Sequence, residues 1–154
     1  MVGKHSIVAL IALSITSFLH AEELGEMWGS AEEEAKYYPI VDIPIPPEVP
    51  MRTGSFEILP DGRLAIGTRR GDIYFVNGAF DSPPTPTYHL CASGQDEIFG
   101  LSWKDGAMTA TQFGEVTRIS DTDGDEVADR YDTLSNNWGY AEGHEFAFGS
   151  KHDP

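Results

Sequence analysis

L-P-D-G-R-L-A-I-G-T-R-R-G-D-I-Y, from Leu59 to Tyr74, places a strand end, an Asp-Gly turn, a second strand and a Gly turn in quick succession. The same order returns in K-D-G-A-M-T-A-T-Q-F-G-E-V, Lys104 to Val116. Asp61-Gly62 recurs 44 residues on as Asp105-Gly106, and Gly71 recurs 43 residues on as Gly114. Reading outward from these turns, short alternating runs predict strands at 55–59, 63–69, 72–77 and 87–92, and again at 98–103, 107–112, 115–120 and 130–135. Glu145 to Gly149 opens a third copy. Four strands in about 40 to 50 residues is the period of one propeller blade. The expected fold class is therefore all-β, with about two and a fraction four-stranded β-propeller blades: blade one at 54–92, blade two at 97–135, and the start of blade three at 144–154. Unrelated hairpins in an open sandwich are the alternative. A ring needs at least about four blades, so the propeller reading expects further blades downstream in a longer parent.

Ahead of the repeats, Lys4 precedes an uncharged apolar run from Ser6 to Leu19, which reads as a signal peptide over residues 1–21, cleaved after Ala21. The run falls short of the roughly 20 apolar residues of a membrane-spanning helix, so no transmembrane helix is expected; a buried N-terminal core helix is the competing reading. The protein is thus expected to be secreted or periplasmic. Residues 22–53 form an acidic leader, with a short helix expected within Glu22 to Lys36, followed by a proline-rich extended segment. Tyr37 to Pro50 holds Pro39, Pro44, Pro46, Pro47 and Pro50, which remove backbone donors. It reads as a linker or as an edge segment completing a sheet.

With 25 acidic residues against 10 lysines and arginines, the net charge is −15. Such a surface repels phosphate backbones, so nucleic acid is excluded as a partner and cations are favoured. Cys91 is the single cysteine, which rules out an internal disulfide, a C-x-x-C-H haem site and a zinc-cysteine cluster; with no activating neighbour in sequence it reads as a buried small hydrophobe. Neither a G-x-S-x-G elbow nor a phosphate-cradling glycine motif occurs.

One loop stands apart chemically. From Asp121 to Asp132, D-T-D-G-D-E-V-A-D-R-Y-D places carboxylates at positions 1, 3, 5, 9 and 12. Asp121, Asp123, Asp125, Asp129 and Asp132, with the Val127 carbonyl, supply the oxygens that a calcium ion wants. An acidic solvated hairpin loop is the alternative, since Asp and Gly also favour metal-free turns. Glu126 stands where such loops need glycine with a positive φ.

The stretch from Gly54 to Pro154 resembles the quinoprotein glucose/sorbosone dehydrogenase-like propellers, in particular the exported "putative membrane-bound dehydrogenase" group. The phrases that carry it are Leu59 to Tyr74, G-L-S-W-K-D-G (Gly100 to Gly106), V-T-R-I-S-D-T-D-G-D-E-V-A-D-R-Y (Val116 to Tyr131) and N-W-G-Y-A-E-G-H-E-F-A-F-G (Asn137 to Gly149). The resemblance implies a six-bladed ring, a pyrroloquinoline quinone pocket at its centre, and oxidation of a sugar or alcohol. It also implies a catalytic histidine just before an innermost strand, a position taken here by His144. Histidine titrates near neutrality and suits a general base; a hydrogen-bonded loop histidine is the plainer reading. A non-catalytic, calcium-stabilised module that binds glycans or protein partners is the alternative function. His89, Trp103 and Trp138 read as structural. Arg69-Arg70 reads as a solvated turn, with contact to an anionic ligand as the alternative.

Overall fold

The computed structural model describes residues 31–138 and 146–152. The chain divides into two units, Met1–Val41 and Asp42–Pro154. In the first, the described residues contain a one-turn helix, Ala31–Ala35, with Glu32, Glu33 and Glu34 in its first turn. Carboxylates there complement the partial positive charge of a helix start. Among the described residues, no helix is long and apolar enough to cross a membrane. The expected signal peptide lies outside them.

The second unit is all-β, built from two four-stranded antiparallel sheets, each in simple meander order. The first contains β1 (Thr53–Ile58), β2 (Leu64–Thr68), β3 (Ile73–Asn77) and β4 (Thr87–Ala92). The second contains β5 (Gly100–Lys104), β6 (Ala107–Thr111), β7 (Val116–Ser120) and β8 (Arg130–Ser135). Each of the eight predicted strands is found, with its ends within two residues of expectation.

Register repeats as well as order. Phe56 pairs with Ile66 and Ile66 with Tyr74; in the second sheet Leu101 pairs with Ala110 and Ala110 with Thr117. The copies differ at their first turns. Asp105 (φ 51) and Gly106 (φ 75) are both left-handed and close β5–β6 as a two-residue turn, the arrangement whose twist matches a hairpin. Between β1 and β2 the loop is longer. There the Leu59 N–H donates to the Arg63 carbonyl (2.8 Å) and Gly62 takes φ 88.

The sheets stack with β5 beside β1 and β2. Alternation sends Ala65, Ile73, Phe75 and Cys91 inward from the first sheet, to meet Leu101, Met108, Ala110 and Ile119 from the second. Ile98, on the crossover between sheets, is fully buried among them. Burying side chains of this size stabilises by about 1.5–3 kcal/mol each. The crossover is pinned at its backbone: Gln95 N–H donates to the Gly71 carbonyl (3.1 Å) and Ile98 N–H to the Thr68 carbonyl (3.2 Å). Glycine at position 54 is required by this closeness, because a Cβ there would sit 2.1 Å from the Ile98 carbonyl oxygen.

The expected ninth strand is not formed. Phe146 to Ser150 is irregular. Gly149 adopts φ 73, outside the β region, and its N–H reaches only the Phe99 carbonyl at 3.4 Å. The segment nonetheless lies on the second sheet, where Gly149 crosses so near Gly100 that a Cβ on Gly100 would be 2.8 Å away.

The proline-rich stretch belongs to the β-sheet unit from Asp42 onward. It forms no strand; Ile43, Val49 and Met51 pack on Leu64, Ile66, Tyr74, Val76 and Ala79.

Candidate functional site

A meander puts its turns at two opposite ends, and these ends differ. One gathers the first turns of both sheets and the loop between β7 and β8. The other gathers the β2–β3 and β6–β7 turns, the crossover and the chain beyond β8.

At the first end, Asp121 leaves β7 and organises the loop behind it. Its Oδ1 accepts the N–H groups of Gly124 (2.7 Å) and Asp123 (3.2 Å), and its Oδ2 that of Glu126 (2.8 Å). These backbone donors, Gly124 foremost, hold the Asp121 carboxyl below the usual carboxylate range. Asp125 Oδ1 accepts the Val127 N–H at 2.8 Å. Oxygens of Asp121, Asp123 and Asp125 lie within 4.8 Å of one another. Three such oxygens match the donor chemistry of a hard cation.

The remaining expected ligands are engaged elsewhere. Asp129 accepts both the N–H (3.0 Å) and the hydroxyl (2.6 Å) of Thr122. Asp132, on β8, is ion-paired with Arg130 at 2.8 Å. Val127 is about half exposed.

Glu126 does have the left-handed backbone that its place in the loop demands, with φ 67. Its side chain and carbonyl tie the loop to the first sheet. The carboxylate pairs with Arg63 at 2.8 Å, the carbonyl meets His89 Nε2 at 3.0 Å, and the next residue but one, Ala128, donates its N–H to the Cys91 carbonyl at 2.7 Å. Arg63 also pairs with Asp61 (2.7 Å) and lies over the Phe75 ring. Sequence reasoning assigned Arg63 no role; its partners are 2 and 63 residues away, and the second separation leaves no local signal.

Under the loop, a cavity of about 140 Å³ is lined by Phe75, Cys91, Trp103, Met108 and Ile119, with Arg63, Asp121 and Glu126. Trp103 packs edge-on against Phe75. Burial pushes the Cys91 thiol up to about 11, and the Asp121 and Glu126 carboxylates add to the rise. It is therefore a protonated, inert wall residue.

The opposite end is polar at its centre and aromatic at its rim. Buried Gln112 donates to Gln95 (2.8 Å) and Thr117 (2.6 Å) and accepts the Asp96 N–H (2.6 Å). Thr117 donates in turn to Glu115. Phe99, Phe113, Phe146 and Phe148 cluster beside this network, with Phe99 and Phe146 centred 4.5 Å apart. Trp138 donates its indole N–H to the Phe113 carbonyl. Arg69 lies over Phe99 and Phe146 and pairs with Glu97 at 2.9 Å. No family model, curated protein or solved structure matches this chain.

His144, the expected base, lies outside the described residues. Pyrroloquinoline quinone carries three carboxylates and calls for a cationic clamp. Arg69 does not supply such a clamp, being matched to Glu97, and Asp96 and Glu115 add negative charge around Gln112.

Proposed function

We propose that this chain is the N-terminal part of an exported propeller protein of the sugar- or alcohol-dehydrogenase kind. The carrying observation is the repeat itself: two four-stranded meanders in one register, stacked face to face through their first strands and joined by a short pinned crossover. Successive sheets joined in this way build a ring when enough of them are added. The quinone clamp is assigned to further sheets, because Arg69 at the aromatic end is held by Glu97. By the resemblance, His144 is assigned the role of general base. The first test is dye-linked oxidation of sugars and alcohols by the protein supplied with pyrroloquinoline quinone and calcium. Reduction of the dye, lowered about 100-fold by His144→Ala, is the expected result; no reduction with any sugar or alcohol overturns the reading.

The second reading is a non-catalytic, calcium-stabilised module that binds glycans or proteins. The gathering of the Asp121, Asp123 and Asp125 oxygens favours it, and so does exposed Phe148, backed by half-buried Phe99 and Phe146, since an exposed aromatic ring suits the C–H faces of sugars. Saturable calcium heat together with glycan retention, in a protein that oxidises nothing, selects this reading over the first.

A further inference from the structure

Between the inner faces of the two sheets, at the end where the Asp121 loop lies, packing leaves a space of about 140 Å³. Protein interiors are close-packed, and voids larger than a water molecule are few. Phe75 and Cys91 from the first sheet, with Met108 and Ile119 from the second, are buried and form its floor. Trp103 makes one wall, set edge-on to Phe75 with ring centres 6.2 Å apart. A buried water needs about two to four polar partners, and this floor offers only a thiol. An apolar cavity of about 150 Å³ stays dry and takes up benzene, so the space at hand is the size of one six-membered ring.

The mouth is built differently. Arg63, Asp121 and Glu126, the charged residues of the lining, are partly or largely exposed and mark where the space meets solvent. Arg63 is committed: it pairs with Asp61 at 2.7 Å and Glu126 at 2.8 Å, and it lies over the Phe75 ring. The Asp121 carboxylate accepts backbone N–H groups, from Asp123, Gly124 and Glu126; among the described residues no cationic side chain pairs with it. Asp61, Asp121 and Glu126 thus outnumber one guanidinium, in a chain of net charge −15, and the field at the mouth favours a cation and opposes an anion. We propose that this space is a binding site for a small organic cation, with an aromatic ring in the cavity and an ammonium head beside Asp121 and Glu126 at the mouth. The ring gains aromatic contacts with Phe75 and Trp103, and the head gains charge-assisted hydrogen bonds. The inference uses no quinone, sugar or calcium and rests on neither reading of the function.

The test uses the full chain with a chelator present, so that Asp121 meets no divalent cation. Three probes share a ring and differ in charge: benzylammonium, benzyl alcohol and benzoate. Calorimetry reads their affinity, while Trp103 fluorescence and the rate at which Cys91 reacts with a thiol reagent report occupancy of the cavity. Benzylammonium should bind saturably and shield Cys91, about fivefold more tightly than benzyl alcohol, the effect of one partly exposed charge pair, with benzoate weakest. Trp103→Phe keeps an aromatic wall and should retain the affinity while abolishing the fluorescence change. Cys91→Met adds a flexible side chain that fills the space and should abolish binding. Failure of benzylammonium to saturate, benzoate binding as tightly, a fluorescence change that survives Trp103→Phe, or undiminished affinity in Cys91→Met each overturns the proposal.

Discussion

The face that the first sheet turns outward, Leu64, Ile66, Tyr74 and Val76, recurs 43 to 44 residues on as Met108, Ala110, Thr117 and Ile119, which the second sheet turns inward onto the first. The second sheet's own outward face carries Ala107, Thr109, Arg118 and Ser120. The turns and this one recurring face therefore define the repeat, while the outer face of each sheet is matched to what lies on it. Apolar Ile43, Val49 and Met51 cover the first. The segment 146–152 meets the second through polar side chains, Ser150 to Ser102 at 3.2 Å and His152 to Thr109 at 3.3 Å.

The largest effect is expected where the sheets are held closest. Gly54→Ala sets a Cβ against the carbonyl of Ile98, whose N–H is bonded to Thr68, and should cost about 3 kcal/mol. Gly100→Ala meets an irregular segment that can yield, and should cost about 1 kcal/mol. Equal losses in chemical denaturation would mean that the two contacts are equally rigid. Next come the outer faces. Val76→Ser removes a fully buried apolar group and should cost about 2–3 kcal/mol, whereas Ser120→Val should stay within about 0.5 kcal/mol. A large loss from Ser120→Val would erase the distinction between the faces.

A smaller effect separates the two sheets' turn carboxylates by pH. Asp121 at the β7–β8 loop and Asp61 at the first turn both titrate below the ordinary value of 3.8, held there chiefly by the backbone N–H of Gly124 and of Arg63 respectively. A depressed carboxylate contributes its stability above the unfolded value and loses it as pH falls through the folded one. Stability should therefore decline from about pH 4 downward, with Asp121→Asn and Asp61→Asn each flattening the decline. Unfolding curves across that range, unchanged in slope by either variant, would remove these carboxylates from the acid response.

Much of this arrangement was legible because it is written locally. Asp-Gly and Arg-Gly turns bound alternating runs, so eight strands could be placed from neighbours alone; the ninth failed where Gly149 leaves the β region. The cluster of Asp121, Asp123 and Asp125 was legible for the same reason, since a spacing of two in a tight loop brings side chains together. Asp132 was not, because its partner is decided by strand geometry that sets Arg130 beside it. Nor was the clamp from Arg63 to Glu126, which exists only once the two sheets have stacked. The proline-rich segment betrayed its backbone character in sequence, but not the face that it covers.

The smallest effect, and the sharpest comparison, lies between the two left-handed non-glycine residues, Asp105 and Glu126. Aspartate tolerates that geometry, while a longer side chain such as glutamate meets a penalty of about 1–2 kcal/mol. Glu126 is retained against this penalty by an ion pair with Arg63, in which the Arg63 and Glu126 side chains are 20 % and 51 % exposed, and pairs this exposed contribute about 0–1 kcal/mol. Relief of strain therefore outweighs the lost pair: Glu126→Gly should gain about 0.5–1 kcal/mol, and Asp105→Gly should gain less. Arg63→Gln, which breaks the pair and leaves the strain, should lose stability. On the proposed calcium reading, the same balance governs cation binding at the neighbouring carboxylates. Glu126→Gly removes one negative charge yet frees the backbone on which the loop turns, so calcium should bind it more tightly than the parent chain, and Asp123→Asn or Asp125→Asn should bind it more weakly. Calorimetric titration with calcium, against magnesium as control, reads all three variants on one scale. Weaker binding by Glu126→Gly would show that the Arg63 clamp, and not the freedom of the turn, holds the loop in its binding geometry.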